Sequence, residues 1–204
     1  MNDLVVATGN KGKLREFKRI FAPLGVKVFS AAELGFDVNP NETGTTFAEN
    51  AKIKAQAVQK LCGLPTIADD SGLCVDALNG APGVYSARYA GENGTDEQCV
   101  QKLLDAMRNV ADEKRTAHFA CAICCIMPDG AELTAEGCCY GKIGYERHGS
   151  EGFGYDPVFL TEQGCFAEIT GAEKDALSHR GKALRAFYDK YKKYNSEVEN
   201  IANK

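Results

Sequence analysis

The first half of the chain alternates between short apolar runs and amphipathic stripes, which predicts strands and helices in turn. The runs at residues 4–7 and 26–29 have the length and apolar content of strands. Between them, the apolar residues of 14–21 recur at helical spacing, with Glu16 among the polar positions of the other side. A second helical stripe covers 47–61 and begins at a capping box.

The second half adds a hairpin and further helices. Segments 117–126 and 131–140 have strand composition, and Pro128-Asp129-Gly130 between them is typical of a tight turn. Helical patterns follow Thr95 and cover 177–191. Since strands alternate with helices early and pair as a hairpin late, we expect a three-layer α/β/α fold with a central mixed sheet and two lobes around a cleft.

Composition places the chain among ordinary globular proteins. It has 204 residues, 44% hydrophobic and 25% charged, so we expect a single domain with two lobes over 1–204. The net charge of −4 argues against a nucleic-acid polymer or an anionic membrane as partner, because both favour a basic surface. The chain has neither an apolar run of ~20 residues nor a signal-peptide pattern, so we expect a cytoplasmic protein.

Two adjacent carboxylates follow a short apolar run. Thr66-Ile67-Ala68 is interpreted as a short buried strand that leads into Asp69-Asp70-Ser71-Gly72, and a strand resumes at Leu73. Because successive side chains of a strand point to opposite faces, we expect one aspartate to face a site and the other to cap a turn or accept backbone N–H groups. Metal or acid–base chemistry is one interpretation of this stretch, and a plain turn is the other.

A glycine-rich loop connects the first strand to the first helix. It consists of Thr8, Gly9, Asn10, Lys11, Gly12 and Lys13. Strand, loop and helix in this order point backbone N–H groups and the positive end of a helix at an anion, typically a phosphate. Lys13 in the first helical turn opposes the helix dipole unless an anion lies beside it. A solvated loop with a helix cap is the alternative.

A third stretch carries an aromatic ring between glycines. Its residues are Phe153, Gly154, Tyr155 and Asp156. Phe153 is a candidate to stack on a flat ring and Asp156 to contact its edge, although a turn with a packed aromatic is an alternative. Lys174 precedes the last helix, and Ser178-His179-Arg180 lies in its first turns. Such donors suit an anion or a carbonyl-rich ring; an exposed arginine beside a capping serine is the alternative.

Two other features have structural explanations at least as good as functional ones. Lys54 lies on the apolar stripe of its helix, where a lysine is costly unless it is paired, faces a cleft or extends to solvent. Five of the nine cysteines cluster, at positions 121, 124, 125, 138 and 139. Buried cysteines that act as small hydrophobes explain this cluster better than a zinc site, which usually has two spaced ligand pairs.

The loops together suggest a nucleotide, because they offer a phosphate loop, a slot for a planar ring, and a metal-suited carboxylate pair in Glu42 and Asp70. Six short motifs along the chain carry a resemblance to a known nucleotide-binding family. They are Thr8–Lys13, Thr46–Ala51, Ala68–Gly72, Gly83–Arg88, Phe153–Asp156 and Ser178–Gly181. By these motifs, essentially the whole chain resembles the Ham1/RdgB family of noncanonical purine nucleoside triphosphate pyrophosphatases.

The resemblance implies Mg²⁺-dependent hydrolysis of XTP, dITP and ITP to the monophosphate and pyrophosphate, by a homodimer of the family's fold. It implies that Glu42 and Asp70 hold the metal and that Asp70 is the base; whether Asp70 is base, ligand or both stays open. Glu49 and Lys54 fall on motif positions near the phosphates. The implied nucleotide contacts are Thr8, Gly9, Asn10, Lys11, Gly12, Lys13, Ser71, Phe153, Gly154, Tyr155, Asp156, Lys174, His179 and Arg180.

Hydrogen-bond chemistry gives a reason for a preference for keto-purines. If His179 or Arg180 donates to a 6-oxo group, adenine would leave donor facing donor, at a cost of about 1–3 kcal/mol each. Two other functions stay open: a phosphatase that releases orthophosphate, and a nucleotide-binding regulatory module without turnover.

Overall fold

The computed structural model describes residues 3–38 and 40–202. The strands are β1 (Asp3–Val6), β2 (Lys27–Ser30), β3 (Thr66–Val75), β4 (Thr116–Ile126), β5 (Glu132–Ile143), β6 (Phe159–Thr161) and β7 (Gly164–Cys165). They form one sheet in the order β2-β1-β3-β4-β5-β6-β7. The first three are parallel to one another, and every later pairing is antiparallel. The sheet is therefore mixed, as predicted.

Helices cover both faces of this sheet. They are α1 (Lys11–Phe21), α2 (Phe47–Cys62), α3 (Asp96–Ala106), α4 (Gly171–Leu177) and α5 (His179–Ala202). On one face, Phe17 of α1 and Phe187 of α5 join Ile67 in a core cluster. On the other face, Ala55 of α2 joins Ala68, the next residue of β3. This alternation produces the three layers, and the predicted α/β/α class is confirmed.

A further core cluster lies toward the other end of the sheet. Leu103 of α3 packs there with Phe119 of β4 and Phe159 of β6. The predicted hairpin is confirmed, since β4 and β5 pair antiparallel from Thr116 with Lys142 to Ile126 with Glu132. The single domain with two lobes stays a prediction.

β3 is one continuous strand, which corrects the expectation of a turn at Asp69–Gly72. All ten of its residues pair with β4, from Thr66 opposite Ile126 to Val75 opposite Ala117. Pairing with a long neighbour overrides the turn preference of Asp, Ser and Gly. A glycine is needed at position 72 for close packing and not for a turn, because a Cβ there would lie 2.3 Å from the carbonyl oxygen of Gly83.

Two helix boundaries also differ from the prediction. α1 begins at Lys11, so half of the predicted loop is the first helical turn. Lys174 lies inside the separate helix α4. Ser178 divides α4 from α5, because its backbone is extended and its Oγ accepts a hydrogen bond from the N–H of Gly181.

The clustered cysteines are packing residues. All nine are free thiols, and four of the five in the cluster are buried. Burial raises the pKa of Cys124 to about 12, so its thiol stays protonated. Within 3–38 and 40–202, no three His, Cys, Asp or Glu side chains converge as a metal site, and no helix is long and apolar enough to cross a membrane.

We expect Gly137→Ala to destabilise the fold by about 1–3 kcal/mol, the usual cost of overpacking. A Cβ at this position of β5 would lie 2.3 Å from the carbonyl oxygen of His179 and 2.7 Å from the backbone nitrogen of Ala183, so α5 would have to move. Urea denaturation measures the change. Glu136→Ala, at an exposed neighbouring position, is the control and should stay within about 0.5 kcal/mol. Equal midpoints for the two variants would contradict this account.

Candidate active site

A cleft of about 350 Å³ brings most of the predicted site together. Fourteen of the sixteen predicted residues line it: Thr8, Gly9, Asn10, Lys13, Glu42, Asp70, Ser71, Phe153, Gly154, Tyr155, Asp156, Lys174, His179 and Arg180. The exceptions are Lys11, which is exposed, and Gly12, which lies beneath the ring of Phe153. Stretches far apart in the chain therefore form one site.

One end of the cleft is the loop between β1 and α1. The N–H of Ala7 donates to the carbonyl of Ile67 at 2.9 Å, which sets this loop beside the acidic part of β3. Asn10 caps α1, since its Oδ1 accepts from the N–H of Lys13 at 3.0 Å. The first N–H groups of a helix lack partners within the helix, and here two lysines accompany them. This end is suited to an anion.

The adjacent aspartates of β3 point to opposite faces of the sheet. Asp70 faces α2, where Lys54 Nζ lies 2.7 Å from its Oδ1. Asp69 faces α1 and α5, where Lys13 Nζ lies 3.0 Å and Arg180 Nη2 2.9 Å from its Oδ2. The expectation that the second aspartate caps a turn is therefore wrong. Its partners are cations, because the strand is continuous and offers no turn.

Lys54 lies between two carboxylates, which explains a lysine on the apolar stripe of α2. Its Nζ is 2.7 Å from Asp70 and 3.2 Å from Glu42 Oε2, so both carboxylates converge on one position. Mg²⁺ usually takes one or two carboxylates and completes its shell with waters and substrate phosphates. This donor set fits a divalent cation, in line with the metal dependence that the family resemblance implies.

The pKa of Asp70 lies above the usual value of an aspartate. Burial of the carboxyl raises it most, Glu42 adds to the rise, and the charges of Lys54 and Lys13 oppose it. A carboxylate with a raised pKa is a stronger base than an exposed one. The position of Asp70 is thus compatible with proton transfer as well as with metal binding.

A buried network of charges lies behind the cleft, and Glu16 is at its centre. Glu16 Oε1 is 3.0 Å from Lys174 Nζ, and Glu16 Oε2 is 2.5 Å from Arg180 Nη1. Lys174 Nζ also lies 2.5 Å from Asp156 Oδ2. Burial alone would raise the pKa of Glu16. The charges of Arg180 and Lys174 outweigh the effect of burial, so the pKa of Glu16 is lowered. The assignment of Glu16 to the polar face of its helix is therefore wrong.

Arg180 and His179 are neighbours with different capacities. The guanidinium of Arg180 donates to Asp69, Glu16 and Ser71, so each of its three nitrogens has a partner. His179 stacks on Phe119 with ring centroids 4.7 Å apart, and its buried Nδ1 has no partner in the described part of the chain. Burial, followed by the charges of Arg180 and Lys174, lowers the pKa of His179 well below its usual value. The imidazole is neutral at pH 7.

The residues of the stretch 153–156 make different contacts. The ring of Phe153 packs over Gly12, with Lys174 Nζ 4.7 Å from the ring centroid. Tyr155 is buried, and its hydroxyl donates to the carbonyl of Ser86 at 2.9 Å. Asp156 accepts from the N–H of Phe153 at 2.8 Å and from Lys174. Phe153 thus forms one wall of the cleft, while Tyr155 and Asp156 hold the loop beneath it.

A model of the Ham1 family matches residues 4–190. The chain belongs to the Ham1 family. It is 49% identical over 193 residues to a dITP/XTP pyrophosphatase of Photorhabdus laumondii, covering 93% of this chain and 98% of the relative. A dITP/XTP pyrophosphatase of Haemophilus influenzae is also 49% identical, over 191 residues, covering 92% and 97%.

Solved structures of Ham1 proteins share the fold. The Staphylococcus aureus Ham1 protein superposes with a TM-score of 0.82 at 40% identity, covering 94% of this chain and 99% of that one. A HAM1 protein from Coxiella burnetii gives 0.82 at 42% identity, covering 95% and 100%. The mixed sheet and its helices are therefore the fold of the Ham1 family.

Several residues of this Ham1 site are missing from the predicted contacts, and three of them are polar groups that matter for its geometry. They are Glu16 in the charge network, Asn50, whose Nδ2 lies 3.4 Å from Asp70, and Asp96, which lines the cleft. Asn50 lies within one of the six motifs, which was a usable signal. Glu16 and Asp96 sit on helices where polar residues are common, and nothing local to them marks a site.

Asp69→Asn should destabilise the protein by about 3–5 kcal/mol at pH 7, because it removes a charge from a buried network around Arg180. Burial raises the pKa of Asp69, but Arg180, Lys13 and Lys54 outweigh it and hold the pKa well below its usual range. Its ionised form therefore stabilises the fold above the unfolded pKa of ~4, and this contribution is lost as the pH falls further.

Urea denaturation of the wild type and of Asp69→Asn between pH 7 and pH 3 measures the difference in their free energies of unfolding. This difference should be smaller at pH 3 than at pH 7. The control is Asp105→Asn, which removes an exposed ion pair with Arg108 and should cost about 0–1 kcal/mol. A loss for Asp69→Asn no larger than that of the control, or one independent of pH, would contradict the role given to Asp69.

Proposed function

We propose that this Ham1 protein hydrolyses the noncanonical purine nucleoside triphosphates XTP, dITP and ITP to the nucleoside monophosphate and pyrophosphate. The relatives named above are dITP/XTP pyrophosphatases. The observation that carries the proposal is the single cleft, which collects lysines, convergent carboxylates, the aromatic ring of Phe153 and neutral His179. Cations and carboxylates suit the metal-bound triphosphate of a purine nucleotide, and the two rings suit its base.

The charge balance of the cleft explains why a metal is needed. Its ion-paired groups are Lys13, Lys54, Lys174, Arg180, Glu16, Glu42, Asp69, Asp70 and Asp156. Four cations against five carboxylates leave one negative charge when all are ionised. A triphosphate adds several more, so we propose that Glu42 and Asp70 hold Mg²⁺, which neutralises phosphate charge and polarises the reacting phosphoryl group.

In the proposed reaction, water attacks the α-phosphorus. Asp70 accepts the proton of that water as the new O–P bond forms, and the bond from the α-phosphorus to the bridging oxygen breaks. Pyrophosphate leaves with that oxygen and its electron pair. Lys13 and Lys54 exchange their contacts with Asp69 and Asp70 for phosphate oxygens, and thereby offset the charge that builds up on the leaving group.

His179 is proposed to select keto-purines. Arg180 keeps its donors on Asp69, Glu16 and Ser71, whereas the ring nitrogen Nδ1 of His179 has no partner among the described residues. In the tautomer that carries its N–H on Nδ1, the neutral imidazole donates to a 6-oxo group, and with adenine two donors would meet. Leaving them unpaired costs about 1–3 kcal/mol each. Phe153 supplies a face for stacking on the ring.

Three broader properties complete the proposal. A homodimer is proposed on the family resemblance alone. A cytoplasmic location is proposed from the sequence. A single domain with two lobes is proposed because one sheet extends through the described residues.

The proposal is tested by a panel of ITP, XTP, dITP, GTP and ATP, with Mg²⁺ and after chelation, with pyrophosphate and orthophosphate measured separately. We expect pyrophosphate from XTP, dITP and ITP in the presence of Mg²⁺, little from GTP and ATP, and loss of turnover with a chelator. Orthophosphate without pyrophosphate would establish the phosphatase alternative. Binding without any product would establish the regulatory module.

Asp70→Asn should reduce kcat by about 10²–10⁴-fold, because an amide cannot accept the proton of the attacking water. ITP should still bind to the variant, as measured by calorimetry. In the metal-free wild type, an NMR titration should find the pKa of Asp70 above the usual value of an aspartate, since burial raises it. Asp105→Asn is the matched control and should leave kcat unchanged. Turnover of Asp70→Asn at the wild-type rate would exclude Asp70 as the base.

A further inference from the structure

Asp96 lines the cleft but belongs to neither the charge network nor the predicted contacts. We propose that Asp96 is a positioning residue that holds the aromatic loop, Gly152–Asp156, where Phe153 can stack on the purine. This inference rests on the proposed function, because it assigns a task within the same site. The contact behind it joins residues 58 positions apart.

Two carboxylates hold two successive amides of the aromatic loop. The N–H of Gly154 donates to Asp96 Oδ2 at 2.8 Å, and the N–H of Phe153 donates to Asp156 Oδ2 at 2.8 Å. Gly152 and Gly154, on either side of Phe153, have φ values of 80° and 61°. Because glycines in this region pivot easily, the orientation of Phe153 depends on contacts from outside the loop.

The helix that carries Asp96 is a firm support. Asp96 is the first residue of α3 and lies within the capping box formed by Thr95 and Gln98. Val100 and Leu103 of the same helix are buried in the core cluster of α3, β4 and β6. A hydrogen bond to a residue at this point therefore ties the aromatic loop to the core.

A second contact joins α3 to the segment that precedes the aromatic loop. Arg147 Nη1 lies 2.8 Å from Glu97 Oε1, and Arg147 Nη2 donates to the carbonyl of Glu97 at 2.8 Å. The Glu97 side chain is 78% exposed, so this ion pair is screened by solvent and contributes little. Asp96 accepts directly from the backbone of the aromatic loop, so its restraint acts on the loop itself.

Loss of this restraint should affect the two ends of the cleft differently. Without Asp96, the amide of Gly154 loses its acceptor and the wall formed by Phe153 can move. The phosphate contacts should be unaffected, because the hydrogen bond of Asp96 goes to Gly154 and not to Lys13, Lys54 or their carboxylate partners. The expected signature is a change in KM with little change in kcat.

The kinetic test compares pyrophosphate release from ITP and dITP by the wild type, Asp96→Ala, Asp96→Asn and Gln98→Ala. We expect Asp96→Ala to raise KM about tenfold for both substrates, with kcat within about twofold. Asp96→Asn should restore a near-normal KM, since its amide oxygen can still accept. Gln98→Ala breaks the capping box but keeps the contact to Gly154, so its KM should match the wild type.

Three results would overturn the proposal. The first is a wild-type KM for Asp96→Ala. The second is an equal rise in KM for Gln98→Ala, which would show that the effect comes from the stability of α3 and not from the contact to Gly154. The third is a rise for ITP but not for dITP, which would put Asp96 in contact with the ribose 2′-hydroxyl instead of the loop.

Amide hydrogen exchange of the substrate-free protein separates this inference from the proposed function. Asp96→Ala should accelerate exchange in the peptide that contains residues 152–156, and Gln98→Ala should not. Unchanged exchange would refute the restraint even if the enzyme is active. A wild type that exchanges as expected but releases no pyrophosphate would instead refute the proposed function.

Discussion

The alternation of side chains along β3 is the constraint on which the site depends. Asp69 and Asp70 are adjacent on a fully paired strand, so they must face opposite sides of the sheet. One carboxylate then meets the cations of α1 and α5, and the other meets Lys54 of α2. With both carboxylates on one side, only one of the two sets of partners could be reached.

The buried charges follow from this arrangement. Moving charged groups out of water is costly, and such groups persist when each is paired and hydrogen-bonded. Asp69, Arg180 and Glu16 form such a chain, and Lys174 extends it to Asp156 below the aromatic loop. The network fixes the last helices against β3 and α1, so the same contacts that stabilise the fold also orient the walls of the cleft.

The cationic and neutral groups of the cleft differ in their existing partners. Lys13 and Lys54 are each paired with a carboxylate, whereas His179 has a buried nitrogen without a partner in the described structure. In the proposed function, binding of the phosphates therefore exchanges contacts, whereas binding of the base adds one.

The sequence by itself determined the types of most elements, the hairpin of β4 and β5, and fourteen of the residues that line the cleft. These features depend on spacing along the chain and on motifs of a few residues. Glycines and polar residues at strand ends and helix starts mark such positions whatever the distant partners are. The family resemblance came from the same short stretches.

Tertiary structure alone decided how these residues are connected. It made β3 continuous, because a long neighbouring strand pairs with every residue of the stretch. It buried Glu16, which meets Arg180 across 164 positions, and it brought Asp96 to Gly154 across 58. Such contacts leave no periodic trace in the sequence, since the energy of a charge or a turn former depends on partners that only the folded chain brings near.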